Sequence, residues 1–191
     1  SSADFVKWRT MLERNGELTE GAVHLLRQME RYTTYVGCRH RHISEYFGDR
    51  IDRASCGACD YCLGELEPIP DPVTLARKVI SCVARVDQRY GAGYVTSVLR
   101  GQATEQVLAR GHDTLSTFGL LRDATVAELR GYIDQIIAAG LLTQTDDGYP
   151  VLVLTAAGRR LLKDPDSCPG LSLARQKVPP KGAARARSQA D

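Results

Sequence analysis

Several things are missing from this sequence of 191 residues. No apolar run approaches the ~20 residues that a membrane-spanning helix needs. No G-x-x-x-x-G-K-[ST] stretch occurs, which excludes a P-loop, so the chain does not bind a nucleotide that way. No signal peptide opens it, and it begins at Ser rather than Met, so it reads as a piece cut from a longer product. Composition excludes a collagen-like, disulfide-dense or wholly disordered chain. What remains is an ordinary soluble globular balance, 43% hydrophobic and 25% charged, at a length that suits one domain or two small ones.

The net charge of +2 hides an uneven distribution. Residues 1–67 hold 9 basic and 11 acidic side chains, residues 68–164 hold 11 and 10, and residues 165–191 hold 5 and 2. The last stretch is expected to be a basic tail, solvated as a linker or loosely attracted to a polyanion.

Six cysteines stand at 38, 56, 59, 62, 82 and 168. Three fall in Cys56-Gly-Ala-Cys59-Asp-Tyr-Cys62, where two-residue gaps let thiolates converge on one ion at ~2.3 Å. Gly57 permits the tight turn between the first two. Cys38 is the expected fourth ligand, and four thiolates form the closed, structural type of zinc site. Three other readings compete: an iron–sulfur cluster on the same spacing, disulfides, and His40 or His42 in place of Cys38. Cys82 lies on an apolar helix face and reads as core. Cys168 has no evident partner.

Helical spacing predicts a short helix over 3–14, a turn at Asn15-Gly16, and a helix over 18–35 whose stripe, Ala22, Leu25, Leu26 and Met29, is expected to face the first helix. Ile43, Tyr46 and Phe47 are expected to pack beneath the metal. Glu67-Pro-Ile-Pro-Asp-Pro72 reads as a stiff linker, because proline disfavours helix in the residue before it. The domain division is therefore 1–67, a 68–72 linker, 73–163, and a 164–191 tail. In the second unit Leu75, Val79, Cys82, Val83 and Val86 predict an amphipathic helix over 74–89. Gly91 and Gly93 break it, Tyr94–Leu99 is a short apolar helix or turn, and residues 103–110 read as another short helix. Thr125-x-x-Glu128 is a capping box for a helix ending near Gly140. Two strands, Leu141–Thr145 and Pro150–Leu154, flank an Asp147-Gly148 turn. Thr155 opens a last helix through Leu162.

The expected fold is mainly α: a helical-hairpin metal-binding subdomain followed by a winged helix with a short β-hairpin wing. The 125–139 helix takes the groove-entering place, yet its expected exposed residues, Ala127, Arg130, Asp134 and Gln135, are poor in base-reading types. Exposed polar residues are expected instead at Gln88, Arg89, Arg100, Gln102, Thr104, Arg110, His112 and Arg122, a set suited to backbone contact.

The order of these motifs resembles the C-terminal region of RecQ-family DNA helicases. The resemblance rests on Cys38-Arg39, Tyr46-Phe47-Gly48, Cys56-Gly57-x-Cys59-Asp60-x-Cys62, Gln88-Arg89-Tyr90-Gly91-x-Gly93-Tyr94, Leu99-Arg100-Gly101, Gly111-His112-Asp113-x-Leu115, Phe118-Gly119 and Arg122-Asp123, across about residues 15–163. It implies a structural Zn²⁺ on Cys38, Cys56, Cys59 and Cys62. It implies motor lobes upstream that use ATP and Mg²⁺, with no catalytic residue in this stretch. The implied task is to grip duplex or forked DNA while the motor pulls one strand 3′→5′, in repair and recombination in the bacterial cytoplasm. Phosphate contacts are implied at Arg100, Gln102 and Arg122, with Arg89 beside them. Tyr149 is a candidate to stack at the wing tip, although Asp146 and Asp147 would repel phosphates. Arg85, Arg159 and Lys163 match a docking site for the acidic C-terminal tail of single-stranded DNA-binding protein. Two readings compete: a free-standing winged-helix transcriptional regulator with a metal-binding lobe, and a winged helix that docks a protein partner.

Overall fold

In the computed structural model of the chain, residues 2–53, 55–145 and 150–177 are described. The first lobe is a helical hairpin, α1 (Ser2–Arg14) and α2 (Glu20–Thr34), followed by α3 (Arg39–Tyr46) and the cysteine loop. Gly16 makes the hairpin turn at φ +69°, a left-handed conformation that suits glycine. Thr19 caps α2 by accepting from the Ala22 amide at 3.1 Å. The helices match the expected spans, but the expected stripe does not: Leu25 and Met29 are 58% and 56% exposed. A two-helix hairpin buries only the strip between its helices, and Ala22 and Leu26 occupy it as half-buried residues. The expected packing beneath the metal also fails. Phe47 is 78% exposed, Ile43 and Tyr46 are exposed too, and Tyr46 meets Phe47 edge-on at 5.1 Å.

The second lobe carries the core. Helix α4 (Pro72–Arg85) opens with proline at its first position and with Asp71 accepting from the Thr74 amide at 2.9 Å. It ends four residues short of the expected boundary, because Asp87 and Gln88 turn left-handed at φ 58° and 56°. Helix α5 (Ala92–Arg100) ends on Gly101 at φ +71°. Helix α6 (Glu105–Ala109) and a 3₁₀ turn (His112–Thr114) lead to α7 (Val126–Ala138), which has the expected reciprocal Thr125–Glu128 capping box. The wing strands β2 (Leu142–Gln144) and β3 (Leu152–Leu154), labelled here after the earlier strand β1 (Leu66–Pro68), pair antiparallel with Leu142 opposite Leu154. Helix α8 (Ala156–Lys163) follows from its cap, Thr155. Val79, Cys82, Val83, Leu99, Leu129, Ile133, Ile136, Leu152 and Leu161 are all buried. Each buried aliphatic side chain of this kind stabilises by ~1.5–3 kcal/mol. Burial pushes the Cys82 thiol up to about 11, in keeping with a core residue.

The linker and the tail differ from expectation. Strand β1 pairs antiparallel with β4 (Ala174–Gln176), placing Glu67 opposite Arg175. Ile69 donates its amide to the Leu173 carbonyl at 2.8 Å. Leu173 and Ala174 are buried, and Leu171 and Cys168 pack against the core. The chain beyond 164 is therefore structured through Lys177. Averaged charge concealed a short apolar alternation that closes the second lobe. The rest of the basic stretch lies outside the described residues.

Helix α8 approaches the entrance of the wing closely: a methyl added at Gly158 would sit 2.1 Å from the Leu141 carbonyl oxygen. Backbone cannot yield as a side-chain tip can. Gly158→Ala is expected to lower stability by about 1–3 kcal/mol in urea melts, although alanine ordinarily favours helix.

Candidate metal centre and nucleic-acid face

Cys38 sits just before α3, and Cys56, Cys59 and Cys62 follow on a tight loop. The four Sγ atoms all lie within 4.8 Å of one another. Four sulfurs at ~2.3 Å from one ion in a tetrahedron stand roughly 3.8 Å apart, so the cluster fits a zinc ion with small adjustments. Backbone amides point at the sulfurs: Cys56 N–H to Cys62 Sγ at 3.4 Å, Cys59 N–H to Cys56 Sγ at 3.3 Å, and Cys62 N–H to Cys59 Sγ at 3.5 Å. Such donors favour thiolate over thiol. The Ser55 hydroxyl, followed by the Cys56 amide, lowers Cys62 to about 6. No disulfide joins any of the six cysteines, so the disulfide alternative falls. His40 is exposed, and His42 packs against the Tyr35 ring at 4.5 Å. Neither belongs to the cluster.

A fastening outside the ligand set was not foreseen. Arg39 grips Asp60 with two parallel bonds, Nε to Oδ1 at 2.8 Å and Nη2 to Oδ2 at 2.7 Å. It also donates to the Tyr32 carbonyl and lies over the Tyr32 ring at 5.6 Å. One guanidinium thus ties α2, α3 and the cysteine loop together. The bond from Arg39 holds the Asp60 carboxyl below its ordinary range. Arg41 adds a second tie, donating to the Arg53 carbonyl at 2.7 Å. The adjacency Cys38-Arg39 and Cys59-Asp60 was the only sequence signal.

The two lobes meet where α2 packs on α7. A cavity of about 490 Å³ lies in the seam, lined by Glu30, Thr34, Asp60, Asp134, Gln135 and Arg175 among others. Burial, and then the Asp134 carboxylate, raise Glu30 above its usual range. Gln135 pairs with strand β4 as a neighbouring strand would, accepting from the Ala174 amide at 2.9 Å and donating to its carbonyl at 2.8 Å. Arg175 bonds Glu67 at 2.8 Å and lies 3.6 Å from Glu128. Asp134 and Gln135 were expected to be exposed; they face this seam instead, because tertiary packing uses the side of α7 that a free winged helix presents.

The proposed phosphate contacts fall at a second place. Gly101 and Gly119 pack face to face: a methyl on Gly101 would stand 3.1 Å from the Gly119 Cα. Backbone bonds run from Gly119 N–H to the Val98 carbonyl and from Leu121 N–H to the Leu99 carbonyl, each 2.9 Å. The 99–102 and 119–122 turns are thereby held side by side. Gln102 and Arg122 are exposed there, and Arg122 also bonds the Gly119 carbonyl at 3.3 Å. Arg100 is half-buried and donates its Nε to the Ala124 carbonyl at 3.0 Å. Gln88 and His112, like Arg100 expected to be exposed, are half-buried. Gln88 accepts from the Leu154 amide, and His112 meets the Tyr94 hydroxyl at 2.7 Å. Arg89 is exposed. Tyr149, Asp146 and Asp147 lie outside the described residues. Arg85, Arg159 and Lys163 are exposed. Arg77 meets Leu162 and Gln88 meets Leu154, so α4 and α8 run antiparallel, which puts Arg85 towards the start of α8.

The purified chain is expected to be colourless and to carry about one zinc in elemental analysis. Structural zinc contributes ~10–16 kcal/mol in zinc-finger peptides at neutral pH. Cys59→Ser, or chelation of the wild type, should therefore unfold the 38–62 lobe. Equal thermal melts with and without chelator would contradict the site.

Comparison with known proteins agrees with this geometry. The RecQ zinc-binding family pattern matches residues 2–63, and that of the RQC domain matches residues 69–175. The chain is 32% identical over 165 residues to the ATP-dependent DNA helicase RecQ of Bacillus subtilis (strain 168), covering 85% of this chain and 28% of that protein. It is 32% identical over 141 residues to the enzyme of the same name from Haemophilus influenzae, covering 73% and 22%. It therefore spans about a quarter of the length of these curated relatives. The four-thiolate cluster falls within the zinc-binding match, which sets the iron–sulfur alternative aside in favour of a structural zinc. With a cysteine-anchored hairpin joined to a winged helix in this order, the chain belongs to the RecQ family and represents its C-terminal zinc-binding and RQC region.

Proposed function

We propose that this chain is the DNA-binding accessory region of a RecQ-type ATP-dependent DNA helicase, gripping duplex or forked DNA by its backbone while a motor elsewhere in the protein separates strands 3′→5′ in repair and recombination. The relatives named above are ATP-dependent DNA helicases. In this reading ATP and Mg²⁺ serve the motor, this region supplies no catalytic group, and the whole protein works in the bacterial cytoplasm. Among the described residues no helix is long and apolar enough to cross a membrane.

The observation that carries the reading is the Gly101–Gly119 apposition. The two glycines close on each other and hold the 99–102 and 119–122 turns side by side, with Gln102 and Arg122 exposed beside them for a sugar–phosphate backbone. Arg100 gives its Nε to the fold and keeps the far edge of its guanidinium for phosphate. Arg89 adds a third cation next to the wing. Tyr149 enters only by its place at the wing tip, where base stacking contributes ~1–3 kcal/mol. A transcriptional regulator is a poorer reading, because α2 and β4 cover the Asp134–Gln135 side of α7. The basic side chains Arg85, Arg159 and Lys163 suit the acidic, carboxylate-ending tail of single-stranded DNA-binding protein. Arg159 and Lys163, four apart, share a face of α8.

Binding of random-sequence duplex across salt tests the proposal. Affinity is expected to fall with log salt at a slope of about −0.9 for each phosphate neutralised, for any sequence. Arg122→Ala is expected to flatten that slope by about 0.9. A strong preference for one site would favour the regulator, and no duplex affinity at low salt would favour a protein-docking role.

A further inference from the structure

Arg89 lies on a backbone that the local sequence does not favour. Asp87 and Gln88, immediately before it, are both left-handed, and neither is a glycine. Such a pair persists only where the surroundings over-determine it. The surroundings here are the wing. Gln88 Oε1 accepts from the Leu154 amide at 2.9 Å, and the Tyr90 carbonyl accepts from the Leu152 amide at 3.0 Å. Both amides belong to β3, on the edge that β2 leaves unpaired. The segment 88–90 therefore lies along the wing like a partial third strand, with Arg89 between its two attachments.

The far side of this segment is also held. The Tyr90 ring stacks on Tyr94 at 4.1 Å, and the Arg110 guanidinium lies over Tyr90 at 5.4 Å. Tyr94 in turn bonds His112. Arg89 alone in the segment stays exposed; its amide donates to the Val86 carbonyl at 3.4 Å, while its guanidinium has no hydrogen-bond or ion-pair partner among the described residues. An exposed cation whose side chain meets no partner among the described residues, on a left-handed turn clamped from both sides, is placed to meet something outside the chain.

We infer that Gln88 is a positioning residue for DNA binding: its side-chain oxygen locks the Asp87-Gln88 turn to the returning wing strand β3, so that Arg89 is held in a fixed place to engage the phosphate backbone. This rests on the duplex-binding reading above. If it holds, the Gln88 anchor acts through Arg89 and leaves the Gly101–Gly119 turn untouched.

Gln88→Gly tests it, because glycine adopts the left-handed turn readily but removes the acceptor. The full chain and each variant are titrated with a random-sequence duplex across salt. Arg89→Ala is expected to flatten the salt slope by about 0.9. Gln88→Gly is expected to flatten it as much, while leaving the thermal melt near wild type. The double variant should be no flatter than either single one. Adding Arg122→Ala to Gln88→Gly should still remove its own ~0.9. If Arg89→Ala changes nothing, the role of Arg89 falls, and this inference with it. If Arg89→Ala acts but Gln88→Gly keeps the full slope, the positioning role is overturned while duplex binding stands. If Gln88→Gly also abolishes the Arg122 contribution, the effect is general loss of structure, and the positioning role is again overturned.

Discussion

The convergence of four sulfurs is what the first lobe depends on. Among its described residues only Gly37, Cys38 and Cys59 are buried, and α2 and α3 contain no buried residue. A segment of this size with no apolar core cannot offset the entropy of ordering its chain. The metal takes the place of the core, because ligand binding and folding are one event in such lobes. The Arg39–Asp60 clamp then conveys that order to the hairpin, since the same guanidinium touches the loop, α3 and α2.

The second lobe is stabilised differently, by a continuous aliphatic core running from Ala76 to Leu173. The two lobes share a seam in which α2 lies on α7, and Glu30 and Asp134 line the same cavity. Arg39 and Arg175 line it with these acids, and burial, then the Asp134 carboxylate, raise Glu30. The seam has a consequence for recognition: the Asp134–Gln135 side of α7 is committed to protein contacts. Polar residues suited to nucleic acid are found instead on turns, where Gly101 and Gly119 bring two strands of backbone together. Turns expose backbone and side chains at once, which suits non-specific contact with phosphates better than base reading.

Much of this was legible locally. Two-residue gaps between cysteines, an aliphatic stripe at helical spacing, a Thr-x-x-Glu box and two short strands are patterns of nearest neighbours, and each appears where the spacing puts it. Other expectations failed for tertiary reasons. The periodicity containing Leu25 and Met29 is real, but spacing cannot say whether a partner covers a stripe, and here none of the described residues does so fully. Helix α4 stops before Asp87 because the wing holds Gln88 from 66 residues away. Averaging charge over residues 165–191 hid Leu171, Leu173 and Ala174, which close the core and pair with the supposed linker.

By itself the sequence determined the close-spaced Cys56-x-x-Cys59-x-x-Cys62 run, the order of the two lobes and nearly every helix, because each depends on residues close together in the chain. Only the tertiary structure decided which faces are used. It brought the 66–68 and 174–176 strands together, turned Asp134 and Gln135 into the seam, put Arg100 to work on the Ala124 carbonyl and left Arg89 exposed. These outcomes turn on contacts between residues far apart in sequence, and local periodicity carries no information about what will lie opposite.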